Sequence, residues 1–180
     1  FGVSPQELKN AILPDGELFD AHVSASGKWV FKGKRGSTVE EITRRMERID
    51  GKLVVEHSFF QVKPSAQGKG VGRRLLTEQL RAYKKMGVDK VELAANIDVG
   101  GYAWARFGFK PKRLSVRRMR KKVKDEAGKL FRLGELDEEM LEGINAVVGS
   151  NDEMFLTRIA GIENLTKKSR EQIGKKLLLG

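Results

Sequence analysis

Apolar residues recur along this chain with two different periods, and the switches between them mark out its elements. Ser4-Pro5-Gln6-Glu7 predicts a helix start: Ser4 can cap, Pro5 suits the first helical position, and Glu7 completes a capping box. That helix is expected to stop before Pro14, with Pro14-Asp15-Gly16 as a turn. Phe19, Ala21 and Val23 alternate with other residues, as do Trp29 and Phe31, and Ser26-Gly27 lies between the two runs. This is the pattern of a β-hairpin. Ser37 and Glu40 offer a second capping box, and Val39, Ile42, Met46 and Ile49 follow at helical spacing, so a helix is expected ahead of Asp50. Asp50-Gly51 then turns the chain into Lys52–Val62, a β-rich run that ends at Pro64.

A loop over Ser65–Gly70 leads into the clearest helix. Its apolar stripe is Val71, Leu75, Leu76, Leu80, Tyr83 and Met86, and Gly87 ends it. Val91, Leu93 and Ala95 alternate as a strand, and a short helix around Gly101–Phe107 precedes Gly108-Phe109-Lys110-Pro111. After Pro111 only helical periods remain, over Ser115–Lys129, Asp137–Val148, Asp152–Ala160 and Leu165–Leu179. Val116, Met119, Val123 and Leu130 form the stripe of the first. There is no internal repeat and no low-complexity linker, so the boundary near residue 111 is a change of secondary structure.

Composition narrows the chemistry. With 180 residues, 39% hydrophobic and 33% charged, the chain suits one globular domain with or without a small appendage. No apolar run approaches the ~20 residues that span a bilayer, so no membrane association is expected and a cytoplasmic location is. The chain opens on Phe1 without the basic start and apolar core of a signal peptide, and is expected to be processed or to belong to a longer protein. Cysteine is absent, which excludes disulfides, a thiol nucleophile and Cys-based zinc sites. His22 and His57 are too few and too isolated for a metal cage, so no metal is expected.

The formal charge is +11, and it is unevenly placed. Lys110 to Lys124 holds nine Lys or Arg and no acid, whereas Leu133 to Thr157 holds seven acids and no base. The basic run fits a surface for an acidic protein or nucleic-acid partner. It equally fits a solvated helix face lying against the acidic segment.

The candidate chemistry centres on Val62-Lys63-Pro64-Ser65-Ala66-Gln67-Gly68-Lys69-Gly70-Val71-Gly72-Arg73. A strand runs into a glycine-rich turn and directly into an amphipathic helix. Glycines 68, 70 and 72 permit positive φ angles and close backbone approach. The first helix amides lack intrahelical acceptors, and Lys69, Arg73 and Arg74 add positive charge, so the junction suits a phosphate. A Walker A loop is excluded because Lys69 precedes Gly70 rather than Ser or Thr, and a dinucleotide fingerprint because the spacing is G-x-G-x-G. Taken alone, the loop fits either a phosphate cradle or a ligand-free turn.

Gln67-Gly68-Lys69-Gly70-Val71-Gly72 resembles the Gln/Arg-x-x-Gly-x-Gly/Ala signature of the GNAT N-acetyltransferase superfamily, and the ordered elements around it extend the likeness over roughly residues 52–111. The resemblance implies an α+β fold: a mixed, mostly antiparallel sheet with a splayed central strand pair, flanked by helices. It assigns residues 1–111 to the acetyltransferase domain and 112–180 to a helical C-terminal extension. It further implies acetyl-CoA as co-substrate. The contacts implied are Phe60, Gln61, Val62, Gln67, Gly68, Lys69, Gly70, Val71, Gly72 and Arg73, with Asn96 on the facing strand. The acceptor implied is an amine, in the lysine-acetylating branch a protein lysine. Departures are equally clear. No strong strand pair follows Gly108-Phe109, and the expected helix before Asp50 is an unusual insertion. The stretch 95–109 is also similar to acetyltransferase-like domains of bacteriophage-encoded proteins, which would make the chain part of a larger assembly or virion.

Acetyl transfer needs a neutral amine, so a base must take its proton. Glu56 stands eleven residues before Gln67, matching a catalytic glutamate of the lysine-acetylating branch, and its apolar strand setting is expected to desolvate it. His57 is adjacent and points to the opposite face, so only one of the two can face a cleft. The family's tyrosine acid would stand at Trp104, and Tyr102 is two residues away. The readings that stay open are an acetyltransferase, a structural or interaction protein that keeps the fold with weak or no activity, and a nucleic-acid module built on the basic run.

Overall fold

The computed structural model describes residues 3–93, 100–162 and 173–180. They divide into two compact units, Phe1–Ala94 and Ala95–Gly180. The first opens with α1 (Pro5–Ile12), whose capping box is complete: the Ser4 hydroxyl accepts from the Glu7 amide, and the Glu7 carboxylate accepts from the Ser4 amide. Strands β1 (Glu17–Val23), β2 (Trp29–Arg35), β3 (Val39–Ile49), β4 (Lys52–Val62) and β5 (Lys90–Leu93) form one sheet in sequence order. All neighbours are antiparallel except β4 and β5, which are joined through α2 (Val71–Lys85) and run parallel. This is a mixed, mostly antiparallel α+β sheet flanked by helices.

The segment expected as a helix before Asp50 is β3, so the apparent insertion is a strand of the sheet. Two features disguise it. Ile42, Arg44 and Met46 all face inward, and the arginine breaks the apolar alternation that signals a strand. A register shift across Val39/Glu41 then returns Val39 to the same face as Ile42, which imitates helical i, i+3 spacing. Pairing on both sides, to β2 and to β4, overrides the local capping signal.

Helices α1 and α2 lay their apolar faces on one side of the sheet. Ala11, Ile12 and Leu13 meet Ile42, Met46, Leu53 and Val55, together with Val71, Leu75 and Tyr83 of α2. Each large side chain buried there contributes roughly 1.5–3 kcal/mol. The inward row of α2 is 71–75–79–83: Gln79 is buried, while Leu80, expected in the stripe, is 40% exposed.

The second unit is helical: α3 (Gly100–Arg106), α4 (Arg113–Arg132), α5 (Glu138–Gly149), α6 (Phe155–Ala160) and α7 (Ile173–Leu179). Among the described residues no strand follows β5. Val123, Ala127, Leu130, Ile144, Val148, Ile159 and Leu177 form its main core. Helix α3 packs inside this unit through Tyr102 and Ala105, which meet Phe155, Leu156 and Ala160.

Candidate functional site

Strands β4 and β5 pair from Val54↔Lys90 to His57↔Leu93, the last described residue of β5. Among the described residues, β4 then continues from Ser58 to Val62 with no partner on that side. On its other side the register to β3 slips at the same place: Arg44 faces His57, Thr43 faces Phe59, and Ser58 is the extra residue. A bulge reverses which side chains face inward. Before it Leu53, Val55 and His57 point toward α2; after it Phe60 and Val62 do. Among the described residues, this stretch of β4 presents a backbone edge that suits an extended ligand.

Directly beyond lies the glycine-rich turn. A short 3-10 turn at Pro64–Ala66 reverses the chain, and the Gln67 side-chain amide donates to the Val62 carbonyl at 3.1 Å, tying the loop to the end of β4. Gly68 and Gly70 both sit at φ +73°, where a side chain would be strained. Gly70 is the N-cap of α2 and brings no side-chain acceptor, and the first intrahelical bond from this residue runs to the Arg74 amide at 3.0 Å. The Val71, Gly72 and Arg73 amides therefore open outward, at a terminus carrying about half a positive charge. Lys69, Arg73 and Arg74 are exposed beside them. At Gly72 an added Cβ would meet the Phe60 ring at 3.3 Å, so the helix start and β4 are in close contact. This cradle suits a diphosphate, with an extended chain continuing along Phe60, Gln61 and Val62. Gln61 is exposed, and its amide donates to Glu40 at 2.7 Å.

Under the bulge lies a buried polar cluster. Arg44, 1% exposed, donates to the carbonyls of Thr43 (3.0 Å) and Phe59 (2.8 Å) and to Gln79 Oε1 (3.2 Å). Gln79 in turn donates to the Ile12 carbonyl. His57 Nε2 lies 3.2 Å from the Tyr83 hydroxyl. Burial pulls the Arg44 guanidinium down to about 10, which still leaves it charged at neutral pH, and pushes Tyr83 up to about 12. Burial, and then the charge on Arg44, hold His57 well below 6.5, so its ring is neutral.

The residues proposed for catalysis fall in three different settings. Glu56 is on the face of β4 opposite His57, but its surroundings are ionic rather than apolar. Strand alternation sets it across from Arg45 (3.2 Å), with the Ser58 hydroxyl donating to it at 2.8 Å and Lys28 at 4.0 Å. His57, 3% exposed, belongs to the core. Tyr102 is buried within the helical unit, where its hydroxyl accepts from Arg106 at 3.2 Å. Trp104 packs edge-on against Phe109. Asn96 lies outside the described residues. Arg44 and Gln79 escaped the sequence reading altogether. Their signal was a polar residue at an inward position of each pattern, Arg44 between Ile42 and Met46 and Gln79 between Leu75 and Tyr83.

In the helical unit, the basic run occupies the first three turns of α4 and the approach to it. Lys110 pairs with Glu153 and Lys121 with Asp125, both at 2.6 Å, while Arg113, Arg117, Arg118 and Lys124 are exposed without an ion pair among the described residues. The acidic segment therefore neutralises only part of this face. No described cluster of His, Asp or Glu could hold a metal ion, and no described helix is long and apolar enough to cross a membrane.

Residues 41–109 match the acetyltransferase (GNAT) family. No curated protein and no solved structure matches the chain. The matched segment takes in nearly all of β3, then β4, the glycine-rich turn, α2, β5 and α3. The bulged β4 and the uncapped helix start thus fall within a segment whose family relationship supports acyl transfer as its general chemistry.

Proposed function

We propose that this protein transfers an acetyl group from acetyl-CoA to a primary amine, with a lysine side chain of a protein or peptide as acceptor. The observation that carries the reading is the coincidence of two features in one matched segment. Beyond His57↔Leu93 the described edge of β4 runs on to Val62, and nine residues after Val62 the chain enters the uncapped start of α2 at Val71. The diphosphate of CoA fits the amides of Val71, Gly72 and Arg73, and its pantetheine arm fits that edge of β4 along Phe60–Val62. A backbone amide of that edge near Phe60 stabilises the oxyanion formed when the amine attacks the thioester carbonyl. The C–N bond forms, the C–S bond breaks, and the electron pair leaves with the CoA sulfur.

Glu56 takes the amine's proton, directly or through water. It lies on the face of β4 opposite His57, two residues before the bulged Ser58, whereas His57 faces the core. The Glu56 carboxylate lies 3.2 Å from Arg45 and 4.0 Å from Lys28. General-base assistance contributes about 10²–10⁴-fold. Glu56→Gln should therefore lower kcat by about that factor with CoA affinity near normal. Steady-state rates with lysine-containing peptides test this, and an unchanged kcat would remove Glu56 from the role.

A second reading has its own observation. Trp104 stands where the family's tyrosine acid is expected, and Tyr102 is buried with its hydroxyl bound by Arg106. A protein that keeps the fold for assembly, in a virion for example, would bind CoA weakly or not at all. It would remain silent toward every amine.

A further inference from the structure

We infer that Arg44 is a positioning residue for the acyl-CoA-binding edge of β4: its guanidinium pins the bulge at Ser58–Phe59 from beneath and so sets the course of β4 beyond it. The inference rests on the acyl-CoA reading of the loop and deepens it. Stability alone does not account for this arginine. It is 1% exposed, no carboxylate pairs with it among the described residues, and its Nε has no acceptor there. A buried charge without a counter-ion costs folding free energy, and apolar replacement of such groups is often neutral or stabilising.

What Arg44 does bond is informative. Nη1 holds the Phe59 carbonyl at 2.8 Å, next to the extra residue of the bulge, and the Thr43 carbonyl across the ladder at 3.0 Å. The guanidinium carbon lies 6.0 Å from the centroid of the Phe60 ring, which itself abuts Gly72 in the first turn of α2. Nη2 is held by Gln79, whose amide is anchored on the end of α1 through the Ile12 carbonyl. The relay therefore runs from α1 through α2 and β3 to the bulge of β4 at Ser58–Phe59. A planar fork that reaches two carbonyls and an amide at once is a task for arginine, not lysine.

Binding of CoA and of its nucleotide half, 3′-phospho-ADP, separates the two parts of the site. The nucleotide half carries the diphosphate but no pantetheine arm. Arg44→Met should weaken CoA about tenfold, comparable to losing one or two hydrogen bonds. The same variant should hold 3′-phospho-ADP within about twofold of the native protein. Arg44→Lys should fall between the two and serves as the test if Arg44→Met does not fold. Hydrogen exchange on the free proteins gives a second readout: amides of residues 58–62 should exchange faster in Arg44→Lys, with β1 and β2 unchanged. Equal weakening of both ligands, native CoA affinity in Arg44→Lys, or unaltered exchange at 58–62 would overturn the inference. A native protein that binds neither ligand would instead overturn the acyl-CoA reading, and the exchange result would still decide whether Arg44 holds the bulge.

Discussion

The cores of the two units are built from different materials. Beneath the sheet, Arg44, His57, Gln79 and Tyr83 lie fully enclosed among aliphatic residues. In the helical unit the described buried side chains are apolar or aromatic, with Val123, Leu130, Ile144, Ile159 and Leu177 at the centre. Polar groups are expensive to bury unless bonded, and these are bonded into one network around a single bulge. The helical core needs only to fill space. The sheet core must also hold a strand out of register at one point, and hydrogen bonds specify such a geometry where packing alone does not.

The contrast predicts that equally buried positions respond differently. Ile144→Ala opens a cavity in an apolar core, and should cost about 2–5 kcal/mol in denaturant unfolding. Arg44→Met should cost less, about 1–3 kcal/mol, because the bonds lost to Phe59 and Gln79 are offset by no longer burying a charge. If Arg44→Met proves the more damaging to stability, the network is chiefly a folding element and the contrast fails.

A smaller effect sharpens the same comparison through pH. His57 is held well below 6.5 by burial and by Arg44 on β3, and Tyr83 of α2 is another polar neighbour. When unfolded, its imidazole takes up a proton near 6.5 that the folded protein refuses. Its contribution is therefore intact above pH 6.5 and is lost as the pH falls below it, by about 1.4 kcal/mol per pH unit for one proton. Unfolding free energies at pH 7.5, 6.5 and 5.5 should show this decline, and His57→Gln should flatten it. The carboxylates lowered by hydrogen bonds, Glu7, Asp20 and Glu153, act only nearer pH 4. An equal slope in His57→Gln would show that His57 is not the group responsible.

Where local chemistry and tertiary role agree, the sequence is a good guide. The Ser4–Glu7 capping box, the Ser26-Gly27 hairpin, the strand Lys52–Val62 and the uncapped glycine start of α2 are all readable from neighbouring residues. Strand β3 is not, because its inward face carries Arg44 and a register shift, both of which make sense only against β4 and α2. Glu56 shows the same limit. Its apolar neighbours in sequence point away from it, and its neighbours in space are Arg45 of β3 and Lys28 in the turn before β2. The loop itself is visible in sequence, while the bulge that aims the adjoining strand depends on pairings made across the sheet.

The central claim is that the turn from Gln67 to Arg73 receives the diphosphate of acetyl-CoA, and calorimetric titration tests it most directly. The native protein should bind acetyl-CoA with a Kd on the order of micromolar, about −8 kcal/mol. Gly70 occupies φ +73° at the head of α2, so Gly70→Glu sets both a strained side chain and a negative charge against the amides that would hold the phosphates. Binding should fall by at least about 100-fold, a loss of roughly 2.7 kcal/mol or more, while far-ultraviolet circular dichroism shows the fold retained. Native-like acetyl-CoA affinity in a folded Gly70→Glu protein, or no measurable binding by the native chain, would contradict the account.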